Sequence, residues 1–183
     1  MGGSAYAGSL IVGATVTNNE ATFTTSGHYV NLPSGLFGSY MAVSVEAWLT
    51  TGVNTGYAPI FRFAASGIGS NEKIKVCRSD ILNTFLLTWY NIAGVQSYYS
   101  SSATFNSQTN VHVVMTVSTG DYARLYINGM LQGSTPAVVS SIPPPDVFYI
   151  GSFFGSVNEF RIWGGALSFT DIAYRFSQGP GEL

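Results

Sequence analysis

Val111-His-Val-Val-Met-Thr-Val117 is followed, after Ser118-Thr-Gly-Asp121, by Tyr122-Ala-Arg-Leu-Tyr-Ile127 and then by Asn128-Gly129. Val111, Val113, Met115 and Val117 alternate with His112, Val114 and Thr116, and Ala123, Leu125 and Ile127 alternate with Tyr122, Arg124 and Tyr126. A period of two sends successive side chains to opposite faces of a strand. Asn-Gly suits the positive φ values of a type I′ turn, so the chain is expected to fold back into a hairpin and continue over Met130–Gln132.

The same period recurs on either side. Val43, Val45, Ala47 and Leu49 alternate with Ser44, Glu46, Trp48 and Thr50. Further strands are expected at Leu10–Val16, Ala21–Thr25, Tyr29–Leu32, Ile60–Ala64, Lys73–Arg78, Thr84–Tyr90, Val95–Tyr99, Val147–Ile150 and Val157–Trp163. Turn chemistry separates them at Thr51-Gly-Val-Asn-Thr-Gly56 and Ser66-Gly-Ile-Gly-Ser-Asn71. Ser100–Gln108 and Ile142-Pro-Pro-Pro145 read as loops. One helix is expected near the C-terminus. Ser168-Phe-Thr-Asp171 is a capping-box variant, and Phe169, Ile172, Ala173 and Phe176 form an apolar stripe at helical spacing. Many short strands with frequent turns indicate an all-β sandwich or barrel.

Composition bounds the function. The 183 residues include only 9% charged side chains, against 14% aromatic, and the net charge is -2. Such a chain buries a core without disulfide staples, and disorder is excluded. The seven basic residues are scattered, so no surface tracks a phosphate backbone and no nucleic-acid partner is expected. No apolar run reaches the roughly 18 residues of a spanning helix, and no membrane insertion is expected. Cys77 is the single cysteine and reads as a small buried hydrophobe. No linker or repeat divides the chain. Residues 1–9 are taken as a flexible leader or cloning remnant without the order of a signal peptide, and residues 10–183 as one domain.

Several motifs in succession carry a family resemblance. Ala21-Thr-Phe-Thr-Thr-Ser-Gly-His-Tyr-Val-Asn-Leu-Pro33 precedes Val43-Ser-Val-Glu-Ala-Trp-Leu49. The His112 strand and the Asn-Gly hairpin come next, then Tyr149-Ile-Gly-Ser152, Gly155-Ser-Val-Asn-Glu-Phe-Arg-Ile-Trp163 and Ala166-Leu-Ser-Phe-Thr-Asp-Ile172. In this order they resemble the concanavalin A-like lectin/glucanase superfamily, specifically its laminin G-like jelly-roll domains, from about Ala21 to Phe176. The resemblance implies an antiparallel two-sheet jelly roll with one short C-terminal helix. It also implies architectural roles for Glu46, His112, Glu159 and Arg161.

Departures from the family argue against chemistry. Some members hold calcium with an Asp near the stretch matching Phe23–Tyr29, where this chain has Thr24-Thr-Ser-Gly-His28. Hard cations want several oxygen ligands with carboxylates among them. Asn side chains and loop carbonyls leave room for weak binding of one ion at most, so no metal site and no cofactor is expected. Glycosidases of the superfamily carry two carboxylates two apart on one strand, flanking the sugar bond. Glu46 and Glu159 are each solitary, and no Gly-x-Ser-x-Gly elbow exists. A lyase-like set of Arg78, His112 and Tyr98 has only the residue types in its favour. No catalytic residue is assigned.

Binding remains. Aromatic rings stack on the apolar face of a sugar, while amides and backbone groups bond its hydroxyls. The candidates are Trp89, Asn91, Tyr98, Tyr99, Phe153 and Phe154, the last two in a loop between Gly151 and Gly155. The first reading is a non-catalytic carbohydrate-binding or adhesion module, extracellular or surface-exposed within a secreted or viral protein. The second is a protein-interaction or structural module of a larger viral or cell-surface assembly. A glycan, a cell-surface protein, a second copy or a parent protein are the partners these readings allow.

Overall fold

The computed structural model describes residues 9–11, 13–17, 20–25, 27–33, 35–36, 40–64, 72–90, 96–140, 142 and 147–181. The expected turn at residues 66–71, Asn91 and the prolines at 143–145 lie outside them. The elements are β1 (Ser9–Ile11), β2 (Thr15–Thr17), β3 (Glu20–Phe23), β4 (Tyr29–Leu32), β5 (Ala42–Thr51), β6 (Ala58–Ala64), β7 (Glu72–Arg78) and β8 (Thr84–Tyr90), followed by β9 (Gln96–Thr104), β10 (Val111–Ser118), β11 (Tyr122–Ile127), β12 (Met130–Val138), β13 (Val147–Gly151), β14 (Gly155–Trp163) and α1 (Phe169–Gln178).

Two antiparallel sheets form. One has the order β1-β4-β13-β6-β7-β8-β9, and the other β12-β11-β10-β5-β14-β3-β2. This is the expected jelly-roll sandwich. In the second sheet β10 pairs with β5 from Val111↔Leu49 to Ser118↔Ala42 and with β11 from Val113↔Ile127 to Thr116↔Arg124. Asn128 and Gly129 take φ 50° and 74°, as the hairpin requires.

The inward set of each strand fills the space between the sheets. Val43, Val45, Ala47 and Leu49 meet Phe61, Phe63, Val76, Leu87 and Phe148 in one buried cluster. Cys77 is also buried. On β14, Phe160 and Ile162 pack toward this core, and a register shift between Val157 and Glu159 precedes them. One side of the sandwich is closed where edge strands β9 and β12 meet. There the Tyr99 hydroxyl donates to the Gln132 carbonyl, and the Ala137 N–H donates to Ser97 Oγ at 3.3 Å.

Several strand ends shift by a few residues, the third hairpin strand runs on to Val138, and two segments change character. Leu10–Val16 is not one strand: β1 joins the first sheet through β4, and β2 joins the second through β3. Gly13 makes the crossing with φ 82°, and a Cβ there would meet the His28 ring at 2.2 Å. Nor is Ser100–Gln108 simply a loop. β9 continues to Thr104, with Ser101 and Phe105 buried. The period of two is present, but its inward positions Ser97, Ser101 and Ala103 are small, so hydropathy does not reveal it.

The helix forms as expected. Its N-cap Ser168 accepts from the Asp171 N–H at 3.1 Å, and Asp171 Oδ2 accepts from the Ser168 N–H at 3.1 Å. Ser168→Ala is expected to cost about 1 kcal/mol by leaving a helix N–H without its side-chain acceptor. That is a fall of about 2–4 °C in melting temperature for a chain of this size, checked by thermal unfolding.

Candidate functional site

Five loops emerge at one end of the sandwich, their described residues being 24–25 with 27–28, 52–57, 79–83, 105–110 and 152–154. Side-chain amides brace four of them. Asn54, 6% exposed, holds Phe154 from both sides of its peptide. Asn54 Oδ1 accepts from the Phe154 N–H at 2.6 Å, and Nδ2 donates to the Phe154 and Gly52 carbonyls at 3.0 Å each. The Asn54 N–H donates to Asn106 Oδ1 at 3.1 Å, and Asn106 Nδ2 returns a bond to the Asn54 carbonyl at 3.0 Å. Asn83 Oδ1 then accepts from the Asn106 N–H at 2.9 Å. Arg78 adds a tie by donating to the Gly56 and Ser79 carbonyls at 3.0 and 2.6 Å. The fifth loop joins through Ser152, whose N–H donates to the His28 carbonyl at 2.7 Å and whose Oγ accepts from Gly27 at 3.1 Å. Amides inside turns are ordinary loop chemistry in a sequence. Nothing in the one-dimensional pattern singles out Asn54, Asn83 or Asn106.

The aromatic candidates separate. Phe154 is 48% exposed at this end, with its ring lying over Gly52; a Cβ on Gly52 would sit 2.0 Å from Phe154 Cδ1. Phe153 is a correction. It is fully buried, 5.4 Å from the Phe23 ring and 6.3 Å from the Phe105 ring, and offers no face to a ligand. Trp89 is a second correction. It falls in the inward set of β8 with Phe85 and Leu87 and is buried in the core. Tyr99 is half-buried on the β9–β12 side, its ring filling the space a Gly133 side chain would need. Tyr98 is exposed, but it lies six residues along β9 from Thr104, about 20 Å from the loop end at the usual strand rise. Asn91 lies outside the described residues. Of the five candidates among the described residues, Phe154 alone is exposed on the braced loops.

Other side chains at this end are also apolar and exposed: Val53, Tyr57, Ile81 and Leu82. Burial and the hydrogen-bonded Asp80 carboxylate push the Tyr57 phenol above the ordinary tyrosine range, against the opposing pull of Lys75. Asp80 is the one carboxylate among the described residues of these loops, and the Asn54 and Asn106 amides are consumed in the brace. This donor set does not fit a hard cation. Among the described residues, no group of three or more His, Cys, Asp or Glu converges.

The strand carboxylates lie elsewhere, on the outer face of the second sheet under α1. Glu46 is buried; its Oε1 bonds His112 Nε2 at 3.0 Å, and its Oε2 accepts from Trp163 Nε1 at 3.0 Å. Arg161 and Arg175 each bring a guanidinium nitrogen to 3.7 Å from it. Arg161 also pairs with Glu159 at 2.5 Å. The helix roofs the cluster: Phe176 stacks on Trp48 and His112, and the Arg175 guanidinium lies 3.9 Å over the Trp163 ring. Burial alone would raise the Glu46 pKa. The bonds from His112 and Trp163, with the charges of His112 and Arg161, outweigh it and hold the carboxyl below its ordinary range. Glu46 and His112 thus tie the helix to the sheet through Arg175 and Phe176, and Arg161 links Glu46 to Glu159 beside them, the structural roles the resemblance implied for these four. Arg78, at the loop end of the first sheet, and His112, under the helix on the second, are not brought together with Tyr98.

A family model described as the concanavalin A-like lectin/glucanases superfamily, of laminin G type, matches residues 24–173, and the chain belongs to that family. No curated protein matches it in sequence. Among solved structures it is similar to botulinum neurotoxin type C, whose cell entry depends upon interaction with two ganglioside molecules (TM-score 0.74, 13% identity, 94% of this chain and 46% of that chain). It is also similar to the serotype D ligand binding domain in complex with N-acetylneuraminic acid (TM-score 0.72, 16% identity, 94% and 46%). A third is Trypanosoma rangeli sialidase (TM-score 0.71, 20% identity, 90% and 28%). The chain spans less than half the length of each, and at these identities the likeness is one of fold. Among the described residues no helix is long and apolar enough to cross a membrane.

Proposed function

We propose that the chain is a non-catalytic carbohydrate-binding module of a surface or secreted protein, and that its braced loop end meets the glycan. The observation that carries this is Phe154: a half-exposed aromatic ring held rigidly by Asn54 through its own N–H and carbonyl. A pre-positioned ring gives a sugar a stacking face at little entropic cost. The neutral amides and carbonyls around it suit hydroxyls. The similar structures that bind gangliosides or N-acetylneuraminic acid support a glycan in general terms. The non-catalytic reading rests on Glu46 and Glu159, whose engagement with arginines under α1 leaves neither placed as a free acid or base.

A glycan array with the intact chain and with Phe154→Ala tests the proposal. Glycan binding is expected to weaken about tenfold in the variant, the worth of one stacking contact. Its melting temperature should stay near that of the parent, because the ring is already half in water. A blank array, or binding equal in both proteins, would sink it.

A further inference from the structure

We propose that the same loop end also enters the surface of an electrically neutral lipid bilayer, with Ile81 and Leu82 as its leading side chains. Ile81 is 85% exposed and Leu82 53%, at the tip of the turn joining β7 to β8. Val53 and Phe154 are exposed on two neighbouring loops of the same end. The tip cannot fold back to hide its apolar pair. The Ser79 N–H donates to the Thr84 carbonyl at 2.9 Å, the Leu82 N–H donates to Ser79 Oγ at 3.2 Å, and Arg78 ties the loop to Gly56. A rigid loop that keeps two large aliphatic side chains in water calls for a partner.

Charge selects the partner. Among the described residues of the five loops Asp80 is the only formal charge besides the titratable His28, and no Lys or Arg lies in them. An anionic membrane attracts exposed basic side chains, and the nearest ones here, Arg78 and the Lys75 ammonium 4.9 Å over the Tyr57 ring, are buried. Asn83, Asn106, Gln108 and Asn110 surround the tips with neutral polar groups. Tyr57, half exposed with its hydroxyl on Asp80, has the apolar body and polar end that suit the headgroup layer. A protein partner would want one continuous patch of about 800 Å². Here the exposed apolar groups are five side chains on three loops braced to one another, far fewer than the roughly 20–30 residues a side that such an interface takes, and few enough to enter a soft surface. A two-residue tip enters only the interfacial layer and needs none of the roughly 18-residue apolar run of a spanning helix.

Flotation of the intact chain with phosphatidylcholine vesicles tests this independently of the glycan reading, because the vesicles carry no sugar. The parent chain is expected to float with them equally well at low and high salt. Ile81→Ser with Leu82→Ser should lower partitioning about tenfold or more, since interfacial binding follows the apolar area inserted. Its melting temperature should be unchanged. In a second measurement, Ile81→Trp should shift its emission to the blue on adding vesicles, while Tyr98→Trp at the far end should not. The proposal is overturned by protein that stays below the vesicles, by equal flotation of parent and double variant, or by flotation that needs added phosphatidylserine. A concentration-dependent oligomer abolished by the double substitution, without vesicle binding, would also overturn it by assigning the tip to a second copy of the chain.

Discussion

Glu46→Ala is expected to lower the melting temperature by about 6–12 °C and to loosen α1 ahead of the sheets. Glu46 is 1% exposed and is the one acceptor shared by His112, Trp163 and the two arginines. Removing one partner of a buried pair costs roughly 3–5 kcal/mol, because the remaining groups stay desolvated without compensation. Arg161 and Arg175 retain 23% and 19% exposure, so water relieves part of that cost, and about 3 kcal/mol is the expected figure. Amide exchange should locate the damage: residues 169–178 should lose protection first, since Arg175 and Phe176 are held over this cluster. A variant that melts like the parent with the helix fully protected would show that the cluster does not hold the roof.

Acid should act on the same group. The folded pKa of Glu46 lies below its ordinary value of about 4.5, so the unfolded chain binds a proton there first as pH falls. The stabilisation is therefore complete above that ordinary value and is lost as pH drops through the lower folded one. Glu46→Gln keeps the acceptor oxygen but has no charge to titrate. It should melt below the parent at neutral pH, and the gap should shrink on acidification.

The fold was legible because its signals repeat. Each of β5, β10 and β11 shows a period of two over at least six residues, the Asn-Gly turn fixes a hairpin, and Ser168 with Asp171 marks the helix start. Where the period is carried by small residues, as at Ser97, Ser101 and Ala103 on β9, burial depends on neighbours that one strand's sequence does not contain. The site was less legible for a related reason. Its scaffold is a set of bonds among Asn54, Asn83 and Asn106, which are 23 to 52 positions apart. Ile81-Leu82, between Asp80 and Asn83, reads as any short apolar pair until the turn is seen to lift it off the sheet. Adjacent aromatics posed the hardest case. Trp89 and Tyr90, Tyr98 and Tyr99, and Phe153 and Phe154 each divide between inside and outside, and alternation states that they divide without stating which way.

For the last of these pairs the division predicts opposite outcomes from neighbouring substitutions. Phe153→Ala should destabilise the fold by about 3–5 kcal/mol, the usual cost of emptying a buried phenylalanine site. Its ring is fully buried against Phe23 and Phe105, and a Cβ on Gly155 would come within 2.6 Å of it. Space this close leaves little freedom for neighbours to collapse into the cavity, which puts the expectation toward the upper end of that range. Urea unfolding should show the full loss in the midpoint, with the slope kept if the native state stays compact. Glycan binding by Phe153→Ala should persist while the protein is folded, unless the cavity lets the 152–154 turn shift. In that event Phe154 would leave its place over Gly52, and binding and stability would fall together. Phe154→Ala should lose binding alone. Equal stability losses in the two variants would mean that both rings serve the core, and the aromatic face proposed for the sugar would have to be given up.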